Sequence, residues 1–166
     1  MDVKINQEVL EKVFRAERDA LQDTAQYVLQ LLREKVKKEA FDTGEFEKSL
    51  FVKVIGNGNV IQIGSRTAQA VIMEFGRRPL QKRPPMDSLV GWASRHGMIA
   101  GGVKSYANLK SKDKGTVYLL ATSIAKKGIK PREIFRKLYN ETIDQINAYF
   151  ISSLQKRLGS QSLPNQ

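Results

Sequence analysis

This 166-residue chain carries one histidine, no cysteine and seventeen carboxylates from which to assemble a metal site or an acid–base pair. Without cysteine there is no thiolate for zinc, no sulfur nucleophile and no disulfide. His96 has no acid near it in sequence except Asp87, so no metal-ligating cluster can be assembled by spacing. Placed after Trp92 and beside Gly97, it reads as the end of a helix, where an imidazolium suits the negative end of the dipole. Glu74, in Ile72-Met73-Glu74-Phe75-Gly76, is followed closely by Arg77, Arg78, Lys82 and Arg83, and reads as an ion-pair partner. Acid–base work would need a second carboxylate within several ångströms, and none is local.

Phosphate chemistry fares no better. Gly97 to Lys104 lacks the spacing of a phosphate-cradling loop. Gly56-Asn57-Gly58-Asn59 precedes a strand, so it presents no helix N-terminus to a nucleotide. The expectation is a non-enzymatic protein with no catalytic residue, no cofactor and no metal.

What remains is charge. Twenty-eight Lys and Arg against seventeen Asp and Glu leave +11, a field that attracts DNA, RNA or acidic protein surfaces. The excess crowds the middle and later chain, including Lys104, Lys110, Lys112 and Lys114. Only Tyr106 interrupts those basic stretches, which argues against a base-stacking surface for single strands. Trp92, one turn from Leu89, reads as a core anchor.

These residues must be positioned by a framework of helices and one hairpin. From Ile5 to Ala40 apolar residues recur at helical spacing (Val9, Leu10, Val13, Phe14, Leu21, Ala25, Val28, Leu29, Leu32, Val36), predicting a helix of about 50 Å at 1.5 Å per residue. That exceeds what a compact core of this size requires, so part of the helix is expected to pack on a neighbouring subunit. Asp42, Thr43 and Gly44 end it, and Glu45–Ser49 leads into a strand over Leu50–Ile55. Asn-Gly at the following turn tolerates the positive φ of a tight hairpin, and Val60–Ile63 returns as the second strand. A short helix over Ala68–Phe75 is closed by Gly76. Arg77–Pro85, with three prolines and four basic residues, is a loop. Asp87 or Ser88 caps a helix to about His96. Gly97–Gly115, with four glycines and four lysines, reads as a mobile basic loop. Thr116 then caps a helix ended by Gly128, and Pro131 opens the last helix at its favoured first turn. That helix carries Ile134, Phe135, Leu138, Tyr139, Ile143, Ile146, Phe150, Ile151, Leu154 and Leu158.

The fold class is therefore α+β: long N- and C-terminal helices packed on a small antiparallel sheet, with short intervening helices. Residues 1–159 are expected to form one domain and 160–166 a disordered tail. No stretch of eighteen apolar residues occurs, and the N-terminus lacks the basic and apolar regions of a secretory signal, so synthesis in the cytoplasm and no membrane partner are expected.

Two segments resemble a known family. Thr43-Gly44-Glu45-Phe46-Glu47-Lys48-Ser49-Leu50 looks like the T-G-x-aromatic/Leu-x-x-S-Leu entry to the first strand in the tail-component, or head-to-tail joining, proteins of long-tailed bacteriophages. Ala70-Val71-Ile72-Met73-Glu74-Phe75-Gly76 looks like that family's A-x-x-x-E-aromatic-G segment. The proline- and arginine-rich loop before Trp92, the LLATSIAKKGIKP run and the aromatic-bearing final helix keep the family's order, so the resemblance spans residues 5–155. Gln69 departs from it, standing where such proteins carry an aromatic residue, and so does the long 97–115 loop.

The resemblance implies a structural virion protein of the neck or tail-completion machinery, made in the host cytoplasm and placed at the head–tail junction. It implies a ring of copies around the DNA channel, a hexamer first and a dodecamer second. Its neighbours would be portal or head-completion connector proteins on one side and tail-terminator or tail-tube proteins on the other. A ring requires a heterologous interface that closes, for which Glu74, Phe75, Arg77 and Arg78 are the candidate residues. Lys104, Lys110, Lys112 and Lys114 would face double-stranded DNA and screen its phosphates without reading bases. The alternative is a sequence-independent DNA-binding accessory or regulatory protein. A helix-turn-helix over 86–127 is a poor fit because the intervening loop is far too long.

Overall fold

The computed structural model describes residues 6–40, 42–56 and 59–159. Its order is α1 (Gln7–Ala40), α2 (Glu45–Ser49), β1 (Leu50–Ile55), β2 (Val60–Ser65), α3 (Gln69–Phe75), α4 (Met86–Arg95), a 3-10 turn at Tyr106–Asn108, α5 (Ser111–Lys127) and α6 (Ile134–Gly159). The class is α+β, with long terminal helices and a two-stranded antiparallel sheet. Contacts divide the chain into two compact units. One comprises the residues up to Glu74 together with those from Glu133 onward, and the other is Phe75–Arg132. The second unit is thus inserted, in sequence, between α3 and α6 of the first.

In the first unit, α1 runs without glycine or proline, and the Asn6 side chain starts it by accepting the Glu8 N–H at 3.0 Å. Its buried stripe of Ala16, Ala20, Thr24, Val28, Leu32 and Val36 keeps helical spacing. Leu32, Val36 and Ala40 meet Phe46 of α2, Leu50 of β1, Ala70 of α3, and Ile134 and Leu138 of α6 in one core. Burying a side chain such as Leu32 stabilises by about 1.5–3 kcal/mol. Thr24, the buried polar residue of the stripe, is satisfied by donating to the Ala20 carbonyl at 2.7 Å.

The expected hairpin pairs Val52 with Ile63 and Val54 with Ile61. Phe51 lies opposite Gly64, where a Cβ would fall within 3.0 Å of the ring, so the glycine makes room for the aromatic. Asn57 and Gly58, on which the predicted turn rests, lie outside the described residues, as do Ile5 and the tail 160–166. Glu45–Ser49, read from sequence only as a lead into the strand, is a one-turn helix entered through Gly44 at φ 76°.

α1 and α6 run antiparallel as a long pair, and their ties descend along α1 as they climb α6. Lys35 bonds Glu141 at 2.6 Å, Tyr27 stacks on Tyr149 with ring centres 4.3 Å apart, and Asp23 accepts from Ser153 at 2.9 Å and from Arg157 at 2.6 Å. Asp19 completes the series with Arg157 at 3.3 Å.

The second unit has its own core of Val90, Ala93, Ile99, Leu109 and Val117, with Trp92 and Tyr106 packed against it. α4 begins at Met86 behind Pro85, and Asp87, expected as a cap, lies in the first turn and reaches elsewhere. Its Oδ1 accepts from Ser105 Oγ at 3.1 Å and from the Tyr106 N–H at 2.7 Å. His96 ends α4 as expected, with Nδ1 2.9 Å from the Trp92 carbonyl and its ring stacked on the indole.

Several boundaries differ from the sequence reading: β2 runs to Ser65 and not to Ile63, α3 starts at Gln69 and not at Ala68, and two helix starts move further. α5 starts at Ser111 and not at Thr116, because Leu109 is anchored in the core and the Tyr106 hydroxyl reaches the Lys114 carbonyl. The 97–115 stretch is accordingly not loop throughout: it holds buried Ile99 and Leu109, the 3-10 turn and the first turn of α5. α6 starts at Ile134 and not at Pro131, for a reason that lies in α3.

Candidate functional site

Glu74 supplies that reason. Its Oε2 accepts the Phe135 N–H at 2.8 Å and its Oε1 accepts the Arg136 N–H at 3.1 Å, so a carboxylate from α3 caps the first turn of α6. Negative charge at a helix N-terminus is favourable, and the two amides are otherwise without helical partners. Next to it, the Glu133 N–H donates to the Met73 carbonyl at 3.1 Å. Glu74 is therefore a fold-building residue and not the ion-pair partner read from its basic neighbours.

The other three candidate interface residues separate by role. Phe75 is 68% exposed at the end of α3. Arg78 is exposed as well. Arg77 is turned inward: its backbone exchanges hydrogen bonds with Ile129 at 2.8 and 2.9 Å, its guanidinium donates to the Lys82 carbonyl, and its Nε is buried. Glycines flank this bridge. Gly76 (φ 70°) leaves no space for a Cβ between the Ile129 carbonyl and Pro131 N, and Gly128 (φ 73°) none beside the Arg77 carbonyl and Pro79 N. The two chain connections of the second unit are thus clasped to each other by paired backbone hydrogen bonds and close backbone approach.

Of the four candidate DNA-facing lysines, Lys104 lies before the 3-10 turn and Lys110 precedes α5 as its cap position, while Lys112 and Lys114 are in α5. Lys104, Lys110 and Lys112 are exposed and Lys114 is half-buried. They are not a single loop but a basic approach to one helix.

A cluster that spacing did not announce lies beside that helix. Arg83 sits over the Tyr118 ring with its guanidinium carbon 4.5 Å from the centroid, and its Nε donates to Thr122 Oγ1 at 3.0 Å. The Gln81 N–H donates to the Ala125 carbonyl at 3.2 Å, so the Arg77–Pro85 loop is tied along α5. Within it Leu80 adopts φ 59°, unusual for a bulky residue, and is exposed. The proline count predicted a loop, but only packing shows that it is held in place. The available signal was the charge of the segment taken as a block.

Along the helical pair, burial and ion pairing shift several groups. Hydrogen bonding from Arg157 holds the Asp23 carboxyl below its ordinary value of 3.8, against opposing desolvation. Lys35 loses hydration, which opposes its charge, but Glu141 and Glu39 outweigh this and raise it above 10.5. Among the described residues there is no group of three or more His, Cys, Asp or Glu able to hold a metal ion, and no helix long and apolar enough to cross a membrane.

The surface of the first unit leaves apolar side chains uncovered. On α1 Val9, Leu10, Val13 and Phe14 precede the last tie to α6, with Phe14 60% exposed; on α6 Ile151 and Leu158 are open. Compared with protein-family models, with curated proteins and with solved structures, the chain matches none of them.

Proposed function

We propose that this chain is a structural virion protein of the head–tail junction of a long-tailed bacteriophage, a neck or tail-completion subunit that assembles into a ring around the DNA channel. The observation that carries the reading is the apolar surface left open on the α1–α6 pair. Val9, Leu10, Val13 and Phe14 form a stripe at helical spacing, and clustered apolar exposure of this kind marks protein contact surfaces. A long helix pair that offers one such patch on α1 and another on α6 suits a heterologous contact repeated around a ring.

The resembling segments are consistent with this reading through their roles in the fold. Ser49 Oγ lies 2.7 Å from Ser65 Oγ and holds the strand entry, Glu74 caps α6, and Gly76 forms half of the glycine clasp. In this proposal the ring is a hexamer, with connector proteins above and tail-terminator or tail-tube proteins below, and Phe75 and Arg78 reach a neighbouring subunit. The test is electron microscopy of particles with the protein labelled, together with its mass in solution. Density at the junction and a ring, or a monomer that joins only on its connector, is expected; particles without the protein there would overturn the proposal.

A second reading, a DNA-binding accessory or regulatory protein, is favoured by the charge of the second unit. Tight binding by free protein, with no place in the particle, would select it.

A further inference from the structure

Charge is divided unequally between the two units. Phe75–Arg132 contains thirteen Lys and Arg and two Asp, whereas the remainder contains fifteen of each sign, so the inserted unit holds the entire +11. Of its two carboxylates, Asp87 accepts from Ser105 and Tyr106 and Asp113 lies in the first turn of α5. Self-repulsion at this density destabilises a compact body, and a bound polyanion relieves it.

We propose that this unit binds the phosphate backbone of double-stranded DNA through the outward face of α5 and the Arg78–Arg83 loop tied along it. Lys112, Thr116, Leu119, Ser123 and Lys126 recur at helical spacing on that face, and Lys112, Leu119 and Lys126 are exposed. The two lysines are about 21 Å apart along the axis at 1.5 Å per residue. A major groove is about 12 Å wide, so the helix ends reach phosphates on both of its sides. Between them, Thr116 and Ser123 are short, and Gly115 has nothing within 4 Å of where a Cβ would be, which permits close approach.

The α5 face that would enter the groove presents no Asn, Gln or Arg to base edges, and Arg83 of the loop is held on Tyr118 and Thr122, so binding is independent of sequence. Its aromatic residue, Tyr118, lies under the Arg83 guanidinium and is not free to stack on bases, which favours duplex over single strand. An acidic protein partner calls for aromatic or apolar anchors at the centre of the contact, and here the large exposed apolar side chains, Leu80 of the loop and Leu119 of α5, are outnumbered by Arg78, Lys82, Arg83, Lys112 and Lys126. The assignment extends the virion reading but stands on the charge and geometry of this unit, whether or not a ring forms.

The test uses the full chain and a mixed-sequence duplex of about 30 base pairs, with binding followed by fluorescence anisotropy between about 50 and 200 mM salt. A triple variant, R83Q/K112Q/K126Q, is compared with K12Q/R15Q/R18Q on α1, which removes the same charge from the first unit. Each removed phosphate contact lowers the slope of log affinity against log salt by about 0.9, so the first triple loses about 2–3 of slope and the second loses little. L119E, at a side chain 68% exposed, provides a variant whose folding is not at issue and weakens binding at least about tenfold. Equal losses in both triples, full binding by L119E, no duplex binding at the lowest salt, or tighter binding of poly-glutamate than of DNA would each overturn the proposal.

Discussion

Glu74 and Phe135 are sixty-one positions apart in sequence, yet the carboxylate of the first receives the backbone N–H of the second at 2.8 Å. The whole second unit lies between them in the chain. The end of α3 and the start of α6 are thereby fixed at one point, where the Glu133 N–H also meets the Met73 carbonyl.

Removing that cap lowers stability by the worth of a helix N-cap. E74A is expected to cost about 1–2 kcal/mol, and E74Q, which keeps one acceptor oxygen but loses the charge, about half of that. Urea unfolding followed by helical circular dichroism measures both; equal stability of E74A and wild type would show that the cap contributes nothing.

Glycines of the second unit divide sharply in what they tolerate. G76A and G128A place a Cβ against opposing backbone at positive φ and are expected to destabilise by more than about 1 kcal/mol each. G115A, in α5 with open space around it, is expected to stabilise by about 0.5–1 kcal/mol. Thermal melts of the three variants check the contrast.

Acid should loosen the α1–α6 pair before it affects the cores. Because Asp23 titrates below 3.8 in the folded chain, its contribution to stability is present above that value and is lost as pH falls through the lower folded value. D23N lacks this dependence, so its stability should differ from wild type near neutrality and converge with it in acid. Lys35 acts in the opposite sense: its contribution is full below 10.5 and is lost as pH rises through the raised folded value. Denaturant midpoints measured against pH distinguish the two.

The open stripe of α1 should matter to assembly and not to the fold of one chain. A V13S/F14S variant exposes less apolar surface and is expected to melt within about 0.5 kcal/mol of wild type. Sedimentation in solution, and incorporation into particles, report whether subunit contact is lost. Unchanged assembly would remove this stripe from the interface.

How much of this was legible beforehand differs by element. α1, the two antiparallel strands and the ends of α3 and α5 follow from periodicity, alternation and single glycines, all of which act within a few residues. The starts of α5 and α6 were not legible. Leu109, Tyr106 and Glu74 set them from other turns or other helices, and no local pattern records such partners. The candidate residues divided in the same way, since proximity in sequence suggested an ion pair for Glu74 while folding carried it to amides far along the chain. Among the lysines, position in sequence suggested a loop, and packing of Leu109 placed two of them in a helix.

The sequence by itself determined composition, the location of charge and the helical and strand periods, because these depend on residue identity and on backbone geometry repeated over short distances. Tertiary structure alone decided that the charge belongs to a unit with its own core, that Arg83 lies on Tyr118, and that Gly76 faces the backbone of Ile129 and Pro131 while Gly128 faces that of Arg77 to Pro79. Those are meetings between distant residues, set by which apolar surfaces exclude water together, and no window of sequence contains both partners.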